Sequence, residues 1–200
     1  MRKFATKTRP HPSYWIGGIT LQRSLSISDE NAAASTDAAT TLIDTLFRQY
    51  EQPICSYLAR LTGSVARAQE LTQETFIRAY RALLRGEQWD NPRAWLYRVA
   101  SRLATDDHRR RKLLEWLPLS GEEPDREPGV EASATTRVAI QAALDALPPK
   151  YRIPLVLHAY AGCTVAEIAQ TLGLSESGVK SRLSRARGKF RRAYGQEEGQ

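Results

Sequence analysis

The chain has 200 residues, 42% of them hydrophobic, and its 29 lysines and arginines outweigh 22 aspartates and glutamates to give a formal net charge of +7. The apolar content is ordinary for a soluble globular protein, the length suits one large domain or two small ones, and no apolar run approaches the roughly 20 residues that span a bilayer. The basic excess points to an anionic partner. The two cysteines, Cys55 and Cys163, lie far apart outside any CxxC or Cys/His cluster, so neither a disulfide framework nor a metal site is expected.

Residues 1–38 lack an acid until Asp29 and have no apolar core long enough for a secretory signal; they are read as a disordered tail or an over-extended start. Helical periodicity begins after about Thr40. Leu42, Leu46 and Phe47 are followed by Ile54, Leu58 and Leu61 at helical spacings, with Pro53 expected to kink or divide the run. A second helix carries Leu71, Phe76, Ala79, Tyr80 and Leu83 on one face and ends at Gly86. A third, "NPRAWLYRVASRLATDDHRRRK", starts at Asn91 as cap with Pro92 at the first helical position. Its apolar stripe is Trp95, Leu96, Val99, Ala100 and Leu103, and Tyr97 lies off that stripe. With strand signals scarce, residues 39–114 read as a helical bundle.

Residues 115–136, "EWLPLSGEEPDREPGVEASATT", have the Pro, Gly, Ser and acid content of a flexible linker. Periodicity resumes over 137–194, with residues 195–200 left as a short tail. Val138, Ala142, Leu144 and Leu147 lead to a break at "LPPKYR", then to Leu155, Val156, Leu157 and Tyr160. "TVAEIAQTLGLSESGVKSRLSRARGKF" then has the grammar of a helix-turn-helix. Thr164 and Glu167 form a capping box, Gly173 suits a left-handed C′ position, and Ser175 caps the next helix. That helix keeps Val179 and Leu183 inside and carries Lys180, Arg182, Arg185 and Arg187 among small residues Ser177, Gly178, Ser181 and Ser184. Slim, polar and basic is what a helix needs to enter a major groove about 12 Å wide. The expected fold class is therefore all-α, two small helical domains joined by an acidic linker.

Taken together, these segments resemble a bacterial RNA polymerase sigma factor of the extracytoplasmic-function type, in the sigma-70 family. "ELTQETFIRAYRAL" is similar to the region 2 helix that docks on core polymerase, "RAWLYRVASRLATDDHRRR" to the −10 recognition and melting helix, and the stretch from Leu144 to Arg191 to region 4. The resemblance implies core RNA polymerase and promoter DNA as partners, with −35 read as duplex and −10 as a single strand, and an anti-sigma factor as regulator. It places polymerase contacts on Glu70, Gln73 and Glu74. It places −35 contacts on Ser177, Lys180, Ser181, Arg182, Ser184, Arg185 and Arg187. Phosphate contacts near −10 fall on Arg93, Arg98, Arg102, Arg109, Arg110, Arg111 and Lys112. Tyr97 is the stacking candidate and Trp89 a wall for a flipped base, whereas Trp95 packs in the core. Where relatives often carry Asn, this chain has Arg102, which suits a phosphate. His108 stands where relatives prefer an apolar residue.

No catalytic centre is expected. Asp106 and Asp107 are adjacent on a helix and so do not share a face, the three histidines are scattered, and no serine sits in a G-x-S-x-G setting. No cofactor is implied, and the cysteine usage fits a reducing cytoplasm. Two other readings compete: a stand-alone helix-turn-helix regulator of duplex DNA, and a recombinase with a helix-turn-helix tail.

Overall fold

The computed structural model describes the backbone of residues 21–114 and 132–197, and the side chains of 36–113 and 136–195. Seven α-helices and no strand are found among them: α1 (Leu21–Thr62), α2 (Val65–Leu84), α3 (Pro92–Leu114), α4 (Ala132–Asp145), α5 (Pro149–Ala159), α6 (Val165–Leu172) and α7 (Glu176–Glu197). From Ala38 onward the described helices make one compact unit.

Helix α1 starts at Leu21, inside the segment expected to be a tail. The alanine-rich run "NAAASTDAAT" has the propensity to carry a helix this far. Residues 1–20 and most of the expected linker, 115–131, lie outside the described residues. Pro53 does not divide α1. It sits on the exposed side of the helix, where the carbonyl it leaves unbonded can turn to water.

The first three helices form the bundle that the periodicity predicts. Gly63 (φ 71°) turns the chain out of α1, and Ser64 then caps α2 by accepting from the Arg67 amide at 3.3 Å. Gly86 (φ 80°) closes α2, with its own amide bonded to Leu83 O and that of Glu87 to Ala82 O. Asn91 Oδ1 accepts from the Ala94 amide at 3.0 Å, as an N-cap should. The core between them holds Ile54, Leu58, Leu61, Leu71, Phe76 and Leu96, all buried. Each such side chain contributes roughly 1.5–3 kcal/mol by leaving water.

One buried carboxylate binds the three helices together. Asp107, on α3, accepts from Arg67 of α2 at 2.7 Å and pairs with Arg111 one turn on at 3.0 Å. Arg111 also donates to Thr62 O at the end of α1. Asp106, its neighbour in sequence, is exposed.

In the second half α4, α5 and α6 all pack against α7. Leu144, Leu147, Val156, Leu157, Ile168, Val179 and Leu183 form its core, and this core is continuous with that of the first three helices. The contact between halves is specific: α3 lies against α6. Arg152 of α5 is buried and donates to Leu147 O, to Asp145, and across the halves to Leu61 O at 2.9 Å.

Candidate nucleic-acid interface

The helix-turn-helix is built as its sequence grammar requires. Thr164 Oγ1 accepts from the Glu167 amide at 3.2 Å while the Glu167 carboxylate accepts from the Thr164 amide at 2.7 Å. The Thr164 backbone amide foremost, then the Thr164 hydroxyl and the nearby Arg93, hold the Glu167 carboxyl below its ordinary value. Gly173 takes the left-handed conformation (φ 65°, ψ 42°) and ends α6. Ser175 Oγ then accepts from the Gly178 amide at 3.1 Å and caps α7.

On α7 the inward positions are Val179, Leu183 and Ala186, all buried. Their period leaves Ser177, Lys180, Ser181, Ser184, Arg185 and Arg187 exposed, with Arg182 half-buried at the edge. The outward face is thus polar and basic, with no bulky apolar side chain between Lys180 and Arg187. Tyr151 supports it from α5. A hydrogen bond from Arg185 pulls the Tyr151 hydroxyl below its usual value, and Lys189 sits 5.9 Å from its ring. Tyr151 was absent from the expected site because "LPPKYR" reads as a helix break. The spacing of four from Tyr151 to Leu155 is the signal that places it on α5.

On α2 the expected polymerase contacts lie together on the surface. Gln73 is exposed, Glu74 pairs with Arg78 at 2.7 Å, and Glu70 pairs with Arg67. Each carboxylate thus already has a neighbouring cation on its own helix.

Helix α3 distributes its residues differently from expectation. Tyr97 is buried, edge-on to Tyr57 with ring centroids 5.1 Å apart, and is not available to stack on a base. Burial also pushes its hydroxyl up. The single-stripe reading failed because α3 has neighbours on more than one side, so a residue off the first stripe is buried by the next helix. Trp95 is stacked on Trp89 at 4.2 Å, both half-buried, so Trp89 packs against its own bundle. Arg111 is turned inward by Asp107, as described. Arg102, Arg109, Arg110 and Lys112 are exposed, Arg109 loosely paired with Asp106 at 4.0 Å.

Arg93 and Arg98 are engaged by the second half of the chain. Arg93 donates to Glu167 at 2.9 Å and to Ala161 O at 2.6 Å. Arg98 donates to Gln170 O at 2.9 Å and to Thr171 O at 3.1 Å. His108, half-buried, lies well inside α3, which continues to Leu114. Cys163 is buried and Cys55 half-buried, both as free thiols. Among the described residues no group of three His, Cys, Asp or Glu could hold a metal ion, and no helix is long and apolar enough to cross a membrane.

Residues 46–113 match the family model described as sigma-70 region 2, and residues 137–190 the one described as sigma-70, region 4. The chain is 34% identical over 166 residues to the ECF RNA polymerase sigma factor SigE of Mycolicibacterium smegmatis, a match spanning 80% of this chain and 64% of that protein. It is 32% identical over 157 residues to the ECF RNA polymerase sigma factor SigL of Mycobacterium tuberculosis, spanning 76% of this chain and 88% of that one. The fold is similar to the sigma factor RpoE solved with the anti-sigma factor NepR from Bartonella quintana, at a TM-score of 0.58 and 18% identity, covering 75% of this chain and 94% of that one. It is equally similar to CnrH solved with the cytosolic domain of CnrY, at a TM-score of 0.58 and 24% identity, covering 80% and 91%.

Proposed function

Because this chain belongs to the extracytoplasmic-function sigma factors of the sigma-70 family, initiation factors that direct polymerase to promoters, we propose that it reads −35 with the outer face of α7 and captures the −10 strand along α3. The observation that carries this reading is the stripe of Lys180, Ser181, Ser184 and Arg185, exposed on a helix whose N-terminus is fixed by a capped helix and a glycine turn. Long side chains on slim neighbours let such a helix reach base edges and phosphates together. On α3, Arg102, Arg109 and Arg110 serve the phosphates of the melted strand. Glu70, Gln73 and Glu74 face core polymerase, the two glutamates exchanging cations on α2 for cations on the partner. The chain works in the cytoplasm, without catalytic chemistry of its own, and an anti-sigma factor is its regulator. The solved pairs of RpoE with NepR and CnrH with CnrY support that last assignment by fold.

Run-off transcription tests the whole reading. Core polymerase with this chain should start RNA at a defined promoter, and silence across a genomic promoter library would overturn it. Lys180→Ala and Arg185→Ala should each lower −35-dependent initiation by roughly 1 kcal/mol or more, about fivefold, because a good base contact is worth about 1–3 kcal/mol. Core affinity should not change. Initiation that keeps its full −35 dependence in both variants would remove these residues from the interface.

A further inference from the structure

Four tyrosines and two arginines gather around one cavity. Tyr50, Pro53, Tyr57 and Arg60 recur on α1 at spacings of three and four, so they form one stripe of that helix. The stripe lines a cavity of about 410 Å³, together with Arg93 and Tyr97 of α3 and with Tyr160, just past α5. Small-molecule sites have volumes of roughly 300–1,000 Å³, with ring-bearing walls and a few polar groups that converge on the ligand.

The walls here are aromatic. Tyr57 and Tyr97 are buried and meet edge-on, with ring centroids 5.1 Å apart. Tyr50 is half-buried, and Tyr160 is exposed.

The charge is positive. Among the described residues that line the cavity there is no carboxylate. Arg93 is already engaged, since its fork holds Glu167 and Ala161 O. Arg60 is different. Its guanidinium lies over the Tyr160 ring at 4.6 Å, and no described carboxylate pairs with it. A guanidinium stacked on a ring keeps its N–H groups in plane, where the two oxygens of one anion fit the fork. Pro53 adds an acceptor: it has no N–H for the Gln49 carbonyl four residues earlier, and both residues line the cavity. That oxygen is left for a ring N–H or a hydroxyl.

We propose that this cavity binds a small molecule made of a planar ring and one anionic group, with the ring among the tyrosines and the anion in the fork of Arg60. Burial of the ring against aromatic walls supplies affinity, and Arg60 selects for negative charge. A phosphate and a carboxylate satisfy the fork alike, so nucleoside monophosphates and aromatic acids belong to one class here. Arg60 and Tyr160 carry none of the promoter or polymerase contacts proposed above, so the site stands or falls apart from that reading.

Isothermal titration calorimetry on the full chain tests it. One arm uses adenosine, guanosine and uridine monophosphates; the other uses benzoate and indole acetate. At least one arm should bind one-to-one with a Kd below about 1 mM. Inorganic phosphate, which has no ring, should bind at least tenfold more weakly. Arg60→Gln should weaken the bound ligand about tenfold, because a charge-assisted hydrogen bond is lost. Arg60→Lys keeps the charge without the fork and should not restore the affinity. Tyr160→Leu should weaken binding several-fold, and its exposed side chain makes it the deciding variant should Arg60→Gln fail to fold. Failure of both arms to bind, phosphate as tight as the ringed anions, full affinity in Arg60→Lys, or affinity unchanged in Tyr160→Leu overturns the proposal.

Discussion

Arg98 and Arg102 stand four residues apart on α3 and share a face, yet their situations differ: the first is held by carbonyls and the second is exposed. A lone exposed guanidinium with no fixed neighbour suits a phosphate better than a base edge, which needs a positioned bidentate partner. Arg102→Ala should therefore weaken −10 capture by a similar factor on every −10 sequence. A competition assay over −10 variants checks this, and a changed sequence preference would make Arg102 a base reader. Tyr57 offers a prediction on stability. Its hydroxyl lies 2.7 Å from Ser101 Oγ in the core, and burial pushes it far above its ordinary value, so it is neutral at any working pH. Tyr57→Phe should cost about 1 kcal/mol, read by urea unfolding, because Ser101 keeps its bond to Tyr97 O. At this scale the sequence spoke unevenly. Glu167, Gly173 and Asn91 could be assigned from local spacing because caps and turns are local chemistry. Tyr97 could not, since its fate was decided by Tyr57, forty residues away.

Helix α6 has eight residues and depends on its ends. Thr164→Ala should destabilise it by about 1 kcal/mol, the usual worth of an N-cap. Gly173→Ala should cost about 1–2 kcal/mol from the left-handed backbone alone, since a Cβ there meets no neighbour. Thermal unfolding measures both. The Glu167 carboxyl sits below its ordinary value because of the Thr164 amide, then its hydroxyl and Arg93. A depressed acid stabilises the fold above its unfolded value and loses that support as pH falls through the folded one. Acidification below about pH 4, and not the neutral range, should therefore loosen this cap, with helix content by circular dichroism as the readout. The elements themselves were legible in the sequence wherever apolar period and cap coincided, as in α2, α3 and α6. The start of α1 was not, because alanine marks a helix by propensity and leaves no apolar stripe to count.

Across the whole molecule, the bundle and the helix-turn-helix share one continuous core. Composition and period foretold two helical groups but not their union, because Arg93 and Arg98 read as DNA-facing charges. Their partners are backbone oxygens, which no sequence pattern marks. Arg152 is the severest test of that union. Arg152→Met should lower stability by about 3 kcal/mol, since the carbonyls of Leu61 and Leu147 would be left buried without a charged donor. Unfolding measured separately by the tryptophans of the first half and by Tyr151 should lose its coincidence in this variant. Coincident transitions at unchanged midpoint would show that the seam contributes little.

The carbonyl grip on Arg98 has a consequence for how the chain senses ionic strength. Gln170 O and Thr171 O are dipole ends and gather no condensed counterions, whereas each phosphate of a single strand does, and a protein that neutralises it releases about 0.7 of a cation. Exchanging the α6 end for one phosphate is thus a reaction with salt on the product side. Between 50 and 200 mM monovalent salt the balance should swing about 2.6-fold toward the arrangement seen here, with no group titrating. Higher ionic strength therefore favours the contact between Arg98 and the α6 end over a phosphate contact.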